Sequence, residues 1–241
     1  MSGAVGAVIF DWGGTITPWH AVDIEEQWRV FARHYHVEDQ GLADELAARI
    51  HAAEDEGWKR GRHDGYASAW IEEILAEADV VAGDPRAVAG LTAYRDFWEP
   101  HTFTDPQIKP LWEGLRRKEI RVGVLSNTIW TRDYHRDIFA RDDVLDLIDA
   151  DVYSSETPWV KPAPEIFRAA AAAVGVDPAQ CVYVGDRSYE DVHGPQSVGM
   201  RAIWVPHSDI PEDQQVSHEA TPDAVAHEII DVLEIVAGWQ A

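Results

Sequence analysis

The stretch VIFDWGGT (residues 8–15) decides how this chain is read. Three successive apolar residues without polar alternation predict a short strand buried on both faces. The strand delivers one carboxylate, Asp11, into a turn that contains the adjacent glycines Gly13 and Gly14. An aspartate after a strand is, by itself, an ordinary turn or cap residue. Its meaning depends on what the rest of the chain brings to the same place.

Runs of the same kind recur along the sequence. AVGAVIF (4–10) holds the first, and IRVGVL (120–125), DADVYS (149–154), CVYVG (181–185) and RAIWV (201–205) follow. Helical patterns alternate with the later ones: TRDYHRDIFA (131–140), PEIFRAAAAAV (164–174) and a weaker EDVHGPQSVG (190–199). Strand and helix in alternation predict an α/β fold, a Rossmann-like parallel sheet with helices on both faces. A last helix is expected from Thr221, with Pro222 at its first position and Gly238 ending it. Its apolar face would be Val225, Ile229, Val232 and Val236.

Residues 18–99 contain no strand pattern. In DIEEQWRVFARHYH, Trp28, Phe31 and Tyr35 recur at i, i+3 and i+7, one amphipathic stripe. ADELAARIHAAEDEGWKR, YASAWIEEILAEA and PRAVAGLTAYRDFWE continue as helices. The expectation is a catalytic core of residues 1–17 and 100–241 interrupted by a helical unit of residues 18–99. Hinges would lie near Thr17–Pro18 and Pro100–Asp105.

The chain has 241 residues, 46% of them hydrophobic, enough for a substantial core. Forty-three acidic residues against 20 Lys and Arg give a net charge of -23. That surface repels nucleic acid and anionic lipid, so neither is expected as a partner. No apolar run reaches the roughly 18 residues of a membrane span, and MSGAVGAVIF lacks the basic start of a signal peptide. A cytoplasmic location is the expectation, as monomer or homodimer. Cys181 reads as a small buried residue, and the eleven tryptophans read mainly as packing.

Every chemically suggestive residue follows one of these strands. Asp11 follows the first, Ser126 and Asn127 the second, and Asp186 the fourth, with Asp191 five residues on. Lys161 precedes the helix at 164. In an open α/β sheet, ligands bind beyond the carboxyl ends of the strands, so these residues should converge. Three carboxylates are hard oxygen ligands suited to Mg²⁺. Lys161 adds local positive charge, while Ser126 and the backbone N–H groups of the glycine turn can hold phosphoryl oxygens. Phosphoryl transfer to an ionised carboxylate needs positioning and charge stabilisation above all.

DWGGT, VLSNT, KPAPEIF and GDRSYEDVHGPQSVGM, in that order and with a helical insert after the first, resemble the haloacid dehalogenase superfamily. The resemblance covers residues 1–17 and about 100–210, and the insert has the position and character of that family's helical cap. It implies Asp11 as nucleophile, Ser126 (with Asn127 and Gly14 beside it) for phosphate, and Lys161 for charge balance at the nucleophile. Asp11, the Gly13 carbonyl, Asp186 and Asp191 would hold Mg²⁺. The implied activity is hydrolysis of a small phosphorylated metabolite through an aspartyl-phosphate.

One position departs from the pattern. Most phosphatases of this family carry a second aspartate two residues after the nucleophile, as the acid that protonates the leaving group; here it is Gly13. Such help is worth about 10² to 10⁴ in rate. Three outcomes are compatible with its absence. The protein is a phosphatase for a substrate with a good leaving group, or one borrowing an acid such as His20, His63 or Asp64. It cleaves a C–P bond as phosphonoacetaldehyde hydrolases do, where DWAGT stands for DWGGT and a cap lysine, here Lys59, forms a Schiff base. Or it binds metabolites without turnover. The His34–His36 pair is discounted as a metal site, because i and i+2 do not share a helix face.

Overall fold

The computed structural model describes residues 4–20, 22–64, 70–206, 216, 218 and 220–240, with the backbone alone for 24, 25 and 62–64. Six parallel strands form one sheet in the order β3-β2-β1-β4-β5-β6. They are β1 (Ala7–Phe10), β2 (Arg121–Ser126), β3 (Ala150–Tyr153), β4 (Cys181–Gly185), β5 (Arg201–Trp204) and β6 (Ala224–Val225). β1 lies in the middle, with Ile9 opposite Gly123 of β2 and Tyr183 of β4.

Alternate side chains go to opposite faces, as the pleat requires. On one face Val8, Phe10, Val122, Val124 and Val184 meet α5 (Ile108–Arg117) and α9 (Val232–Gly238). On the other, Ala7, Ile9, Leu125 and Tyr183 meet α7 (Pro164–Val174) through Ile166, Phe167 and Ala170. Cys181 is fully buried in this second layer. Both faces are covered, which is why the strands read as continuous apolar runs.

α1 (Ile24–Tyr35), α2 (Gln40–Asp64), α3 (Ile71–Glu77) and α4 (Pro85–Trp98) lie between β1 and α5 in the chain. They enclose a hydrophobic cluster of their own: Trp28, Phe31, Leu46, Ile50, Ile74 and Tyr94 are all buried. Gly90 exists for this packing, since a Cβ there would press 2.7 Å from the Phe31 ring. Ile129 and Trp130, from the loop after β2, join the cluster, and Ile71 N–H donates to the Ile129 carbonyl. The two connections to the sheet run side by side. Asp105 N–H donates to Ile16 O at 2.8 Å, Thr17 Oγ1 donates to His101 O at 3.3 Å, and the His20 and His101 rings lie 4.9 Å apart.

The structure corrects three expectations. The segment from Thr221 is not the start of the last helix, because Ala224 and Val225 pair in parallel with β5 as β6. Asp223 Oδ2 holds that edge by accepting Ala202 N–H at 2.8 Å. The helix proper, α9, begins at Val232 after a capping box of Glu228 and Asp231, so Ile229, Val232 and Val236 are buried while Val225 is exposed. The pattern at 190–199 is a π-helical turn, Ser188–His193, followed by the single turn α8 (Gly194–Gln196). Finally, α5 is an element the strand–helix alternation did not anticipate. Its signal is nevertheless present: Ile108, Leu111, Trp112 and Leu115 sit at i, i+3, i+4 and i+7, and all are buried. α6 (Arg132–Arg141) falls where expected. Among the described residues, no helix is long and apolar enough to cross a membrane.

Candidate active site

β1 ends at Phe10, and Asp11 follows with its N–H donated to Val184 O of β4, which fixes it at the centre of the sheet's carboxyl edge. The next turn closes through Trp12 O, which accepts the N–H groups of Ile16 and Thr17, and Gly14 N–H donates to Thr17 O at 2.8 Å. Gly14 has φ +83°, and a Cβ there would collide with the Asp186 carboxylate. Only glycine satisfies both conditions. Gly14→Ala is therefore expected to strain the turn and displace Asp186. It should lower thermal stability by about 1–3 kcal/mol and turnover by about 10²-fold. Gly13→Ala is the control, since nothing lies within 4 Å of a Cβ at Gly13. Melting curves and initial rates compare the two.

Lys161 is the hub of the charged groups. Its Nζ lies 2.8 Å from Asp11 Oδ1 and 2.7 Å from Asp191 Oδ1, and it donates to Tyr183 Oη at 3.0 Å. The Tyr183 hydroxyl in turn donates to Leu125 O of β2. All these groups are buried, Lys161 being 2% exposed. Burial alone would lower the Lys161 ammonium, but the Asp11 and Asp191 charges hold it well above its ordinary value. Burial pushes the Asp11 carboxyl up, and Lys161 pulls it only part of the way back.

Asn127 clamps this lysine. Its Oδ1 accepts Lys161 N–H at 2.9 Å, and its Nδ2 donates to Lys161 O at 3.2 Å. Both ends of the amide are thus engaged with the backbone that carries the ammonium, a positioning contact that the sequence did not reveal. Ser126, 2% exposed at the end of β2, lines the same cavity.

The π-helical turn aims Asp191. Arg187 N–H donates to Asp191 Oδ2 at 2.9 Å, and Asp191 N–H donates back to Arg187 O at 2.8 Å. Gly185 is needed here as well, because a Cβ on it would fall 2.5 Å from Asp191. Asp186 is placed by the Trp204 indole, which donates to its carbonyl at 2.9 Å. Asp11, Asp186 and Asp191 each offer an oxygen within 4.8 Å of the others, and all three are buried. Three buried carboxylates gathered in this way are the donor set of a hard divalent cation. This is the one cluster of three or more possible metal ligands among the described residues.

The site opens into a cavity of about 510 Å³ between the sheet and the helices of residues 24–98. Asp11, Gly13, Gly14, Ser126, Asn127 and Lys161 line its floor. Glu190 and Arg187, which the sequence did not single out, line it too. Burial pushes the Glu190 carboxyl up. Of the acids weighed as substitutes at Gly13, His20 lines the cavity, whereas the side chains of His63 and Asp64 lie outside the described residues. Lys59 is exposed and ion-paired with Asp55 at 2.6 Å and Glu56 at 3.5 Å. The Asp55 hydrogen bond raises its ammonium, the reverse of what a Schiff-base lysine requires.

The model of the haloacid dehalogenase-like hydrolases matches residues 5–199. The chain belongs to this family. Within it, a phosphoserine phosphatase of Thermus thermophilus is 30% identical over 159 residues, covering 66% of this chain and 61% of that one. A glyceraldehyde 3-phosphate phosphatase of Pyrococcus abyssi is 25% identical over 134 residues, covering 56% of each. The chain thus spans about three fifths of the length of these curated relatives. Solved haloacid dehalogenase structures share the fold. A phosphatase of Thermococcus onnurineus has TM-score 0.65 and 22% identity over 98% of this chain and 100% of that one. A 2-haloacid dehalogenase of Pseudomonas syringae has TM-score 0.67 and 19% identity over 98% and 99%. The two curated relatives are named as phosphatases.

Proposed function

We propose that the protein is a Mg²⁺-dependent phosphatase of a small phosphorylated metabolite, with Asp11 as the nucleophile. The observation that carries this reading is the buried Asp11–Lys161–Asp191 ion-paired group, with Asp186 beside it, at the floor of a cavity. Asp11, Asp186, Asp191 and the Gly13 carbonyl would hold the ion. When bound, it supplies positive charge to the phosphoryl oxygens and to the nucleophile's surroundings.

In the first step an Asp11 carboxylate oxygen attacks phosphorus and the bond to the leaving oxygen breaks. Lys161 neutralises the crowded carboxylates so that Asp11 reaches the phosphoryl group ionised. Ser126 and the N–H groups of the glycine turn, apart from that of Gly14, which Thr17 O accepts, hold the equatorial oxygens. In the second step water attacks the same phosphorus, the Asp11–phosphorus bond breaks, and phosphate leaves. Residues 18–99, with helices α1–α4, act as a cap on the site, moving about the paired connections near Thr17–Pro18 and Pro100–Asp105. Their separate core and the two adjacent connections support that division.

Gly13 supplies no proton, so substrates with good leaving groups should be favoured over alkyl phosphates. The open space at its Cβ position makes the test clean. Gly13→Asp is expected to fold as the wild type does. It should raise turnover of a simple alkyl phosphate by about 10²-fold, with little change for an aryl phosphate. Equal effects on both would show that leaving-group protonation is not what Gly13 removes. Absence of Mg²⁺-dependent hydrolysis of aryl, acyl and anomeric phosphates alike would overturn the phosphatase reading.

A further inference from the structure

The two ends of the cavity above Asp11 differ in what they offer a ligand. At the floor the cations Lys161 and Arg187 lie with the carboxylates of Asp11 and Glu190, and the buried indole N–H groups of Trp12 and Trp19 in the lining have no acceptor among the described residues. The helical end is rich in acceptors. Gln27 on α1 is only 3% exposed, and its Oε1 has no hydrogen-bond partner among the described residues although it lines the cavity. Glu54 on α2 also lines the cavity. Its carboxylate accepts the Trp28 indole N–H at 2.7 Å and the Trp58 N–H at 3.4 Å, which leaves lone pairs on both oxygens for a ligand.

No lysine or arginine of α1–α4 is among the described residues lining this end, and Asp55 already has Lys59 as its partner. Aromatic rings make up the walls. Tyr94 and Trp58 line the cavity near Glu54, and the Trp98 indole lies beside the Tyr94 hydroxyl without a well-formed hydrogen bond. A carboxylate and an orphaned carbonyl oxygen among aromatic faces are the features that recognise an organic cation.

We propose that the helical end of the cavity is an ammonium subsite, so that the preferred substrate is a phosphomonoester whose carbon chain carries a protonated or quaternary amine. Glu54 pairs with the cation, Gln27 Oε1 accepts one of its N–H groups where it has one, and Trp58 and Tyr94 face it. The identity as a substrate rests on the phosphatase reading; the subsite itself does not. Burial pushes the Glu54 carboxyl up, and an ammonium beside it would offset that penalty. The His51 imidazole, one turn earlier on α2, is the other group able to face Glu54 with positive charge, while the Asp55 carboxylate opposes it. Binding is therefore best measured near pH 8, above the range in which imidazole side chains ordinarily carry charge.

The test uses two isosteric phosphonates that cannot be hydrolysed, 3-aminopropylphosphonate and butylphosphonate, titrated calorimetrically into the full chain with Mg²⁺. The amine should bind at least about tenfold tighter than the alkyl compound. In Glu54→Gln the preference should fall below about threefold with butylphosphonate affinity unchanged. The amide oxygen of that variant can still accept the Trp28 N–H, so the fold should persist, and melting curves check this. Gln27→Leu, which removes the other acceptor, should weaken amine binding in the same selective way. Equal affinity of the two phosphonates for the wild type, or a preference that survives in both variants, would overturn the subsite and leave the phosphate site standing. Binding of neither compound would overturn both. Failure to hydrolyse any aryl phosphate, with the amine preference intact, would overturn the phosphatase reading alone.

Discussion

The Asp11→Asn protein is expected to be folded and inert. Asparagine has the shape of aspartate and no anionic oxygen, so the attacking group is lost with the geometry kept. Turnover of an aryl phosphate should fall by at least about 10⁴-fold, the scale seen when a covalent nucleophile is removed. Stability should not fall with it. Burial already holds the Asp11 carboxyl above its ordinary value, and Lys161 keeps Asp191 as a partner. Without a bound cation, removing one of three clustered carboxylates relieves like-charge repulsion. The melting temperature of Asp11→Asn should therefore match or exceed that of the wild type. A variant that loses activity only because it melts would contradict this account.

The second large effect falls on Lys161, and it should appear in stability as well as in rate. Lys161→Met leaves Asp11 and Asp191 facing each other in a buried site without their shared cation. Breaking a buried ion pair from one side costs about 3–5 kcal/mol, which for a chain of this size lowers the melting temperature by about 10 °C. The loss depends on pH with a definite sign. In the wild type the largest influence on Asp11 is burial, which raises its carboxyl, and Lys161 opposes it. Removing Lys161 moves the folded-state value further above that of the unfolded chain. The folded variant then binds more protons than the unfolded one, so its stability falls as pH rises from the ordinary carboxylate range, near 3.8, toward neutral. Denaturant melts at pH 5 and pH 8 should show the variant closer to the wild type at pH 5. A deficit of the same size at both values would contradict the assigned pairing.

The parallel sheet was legible because strands covered on both faces must be apolar throughout. Four residues were legible as a cluster because Asp11, Asp186 and Asp191 come after strands whose carboxyl ends face one edge, and Lys161 lies in the loop that leads from β3 to α7. What pattern could not supply was commitment of polar groups. Asn127 reads like a ligand-binding residue in LSNT, yet its amide brackets the Lys161 backbone, a contact between residues 34 positions apart. Glu190 and Arg187 sit inside the GDRSYED motif but carry no signal of their own, since the π-helical turn that exposes them to the cavity is not a propensity feature. The last helix was placed too early for a related reason. Thr-Pro is a good helix start, but two residues of edge pairing with β5 and the Asp223 bridge compete for the same segment, and the tertiary contacts win. The polarity of the cavity was equally hidden, because Gln27 and Glu54 lie on different helices and read as ordinary polar faces.

Uptake of the phosphoryl group by Asp11 can be measured on the residue itself. Wild-type protein turning over an aryl phosphate with Mg²⁺ would be quenched in acid within one turnover, digested, and the peptide containing Asp11 weighed. This peptide is expected to carry one added phosphoryl group, absent in Asp11→Asn and absent without substrate. An unmodified Asp11 peptide during rapid turnover, with a phosphoryl group found on another residue or on none, would contradict it.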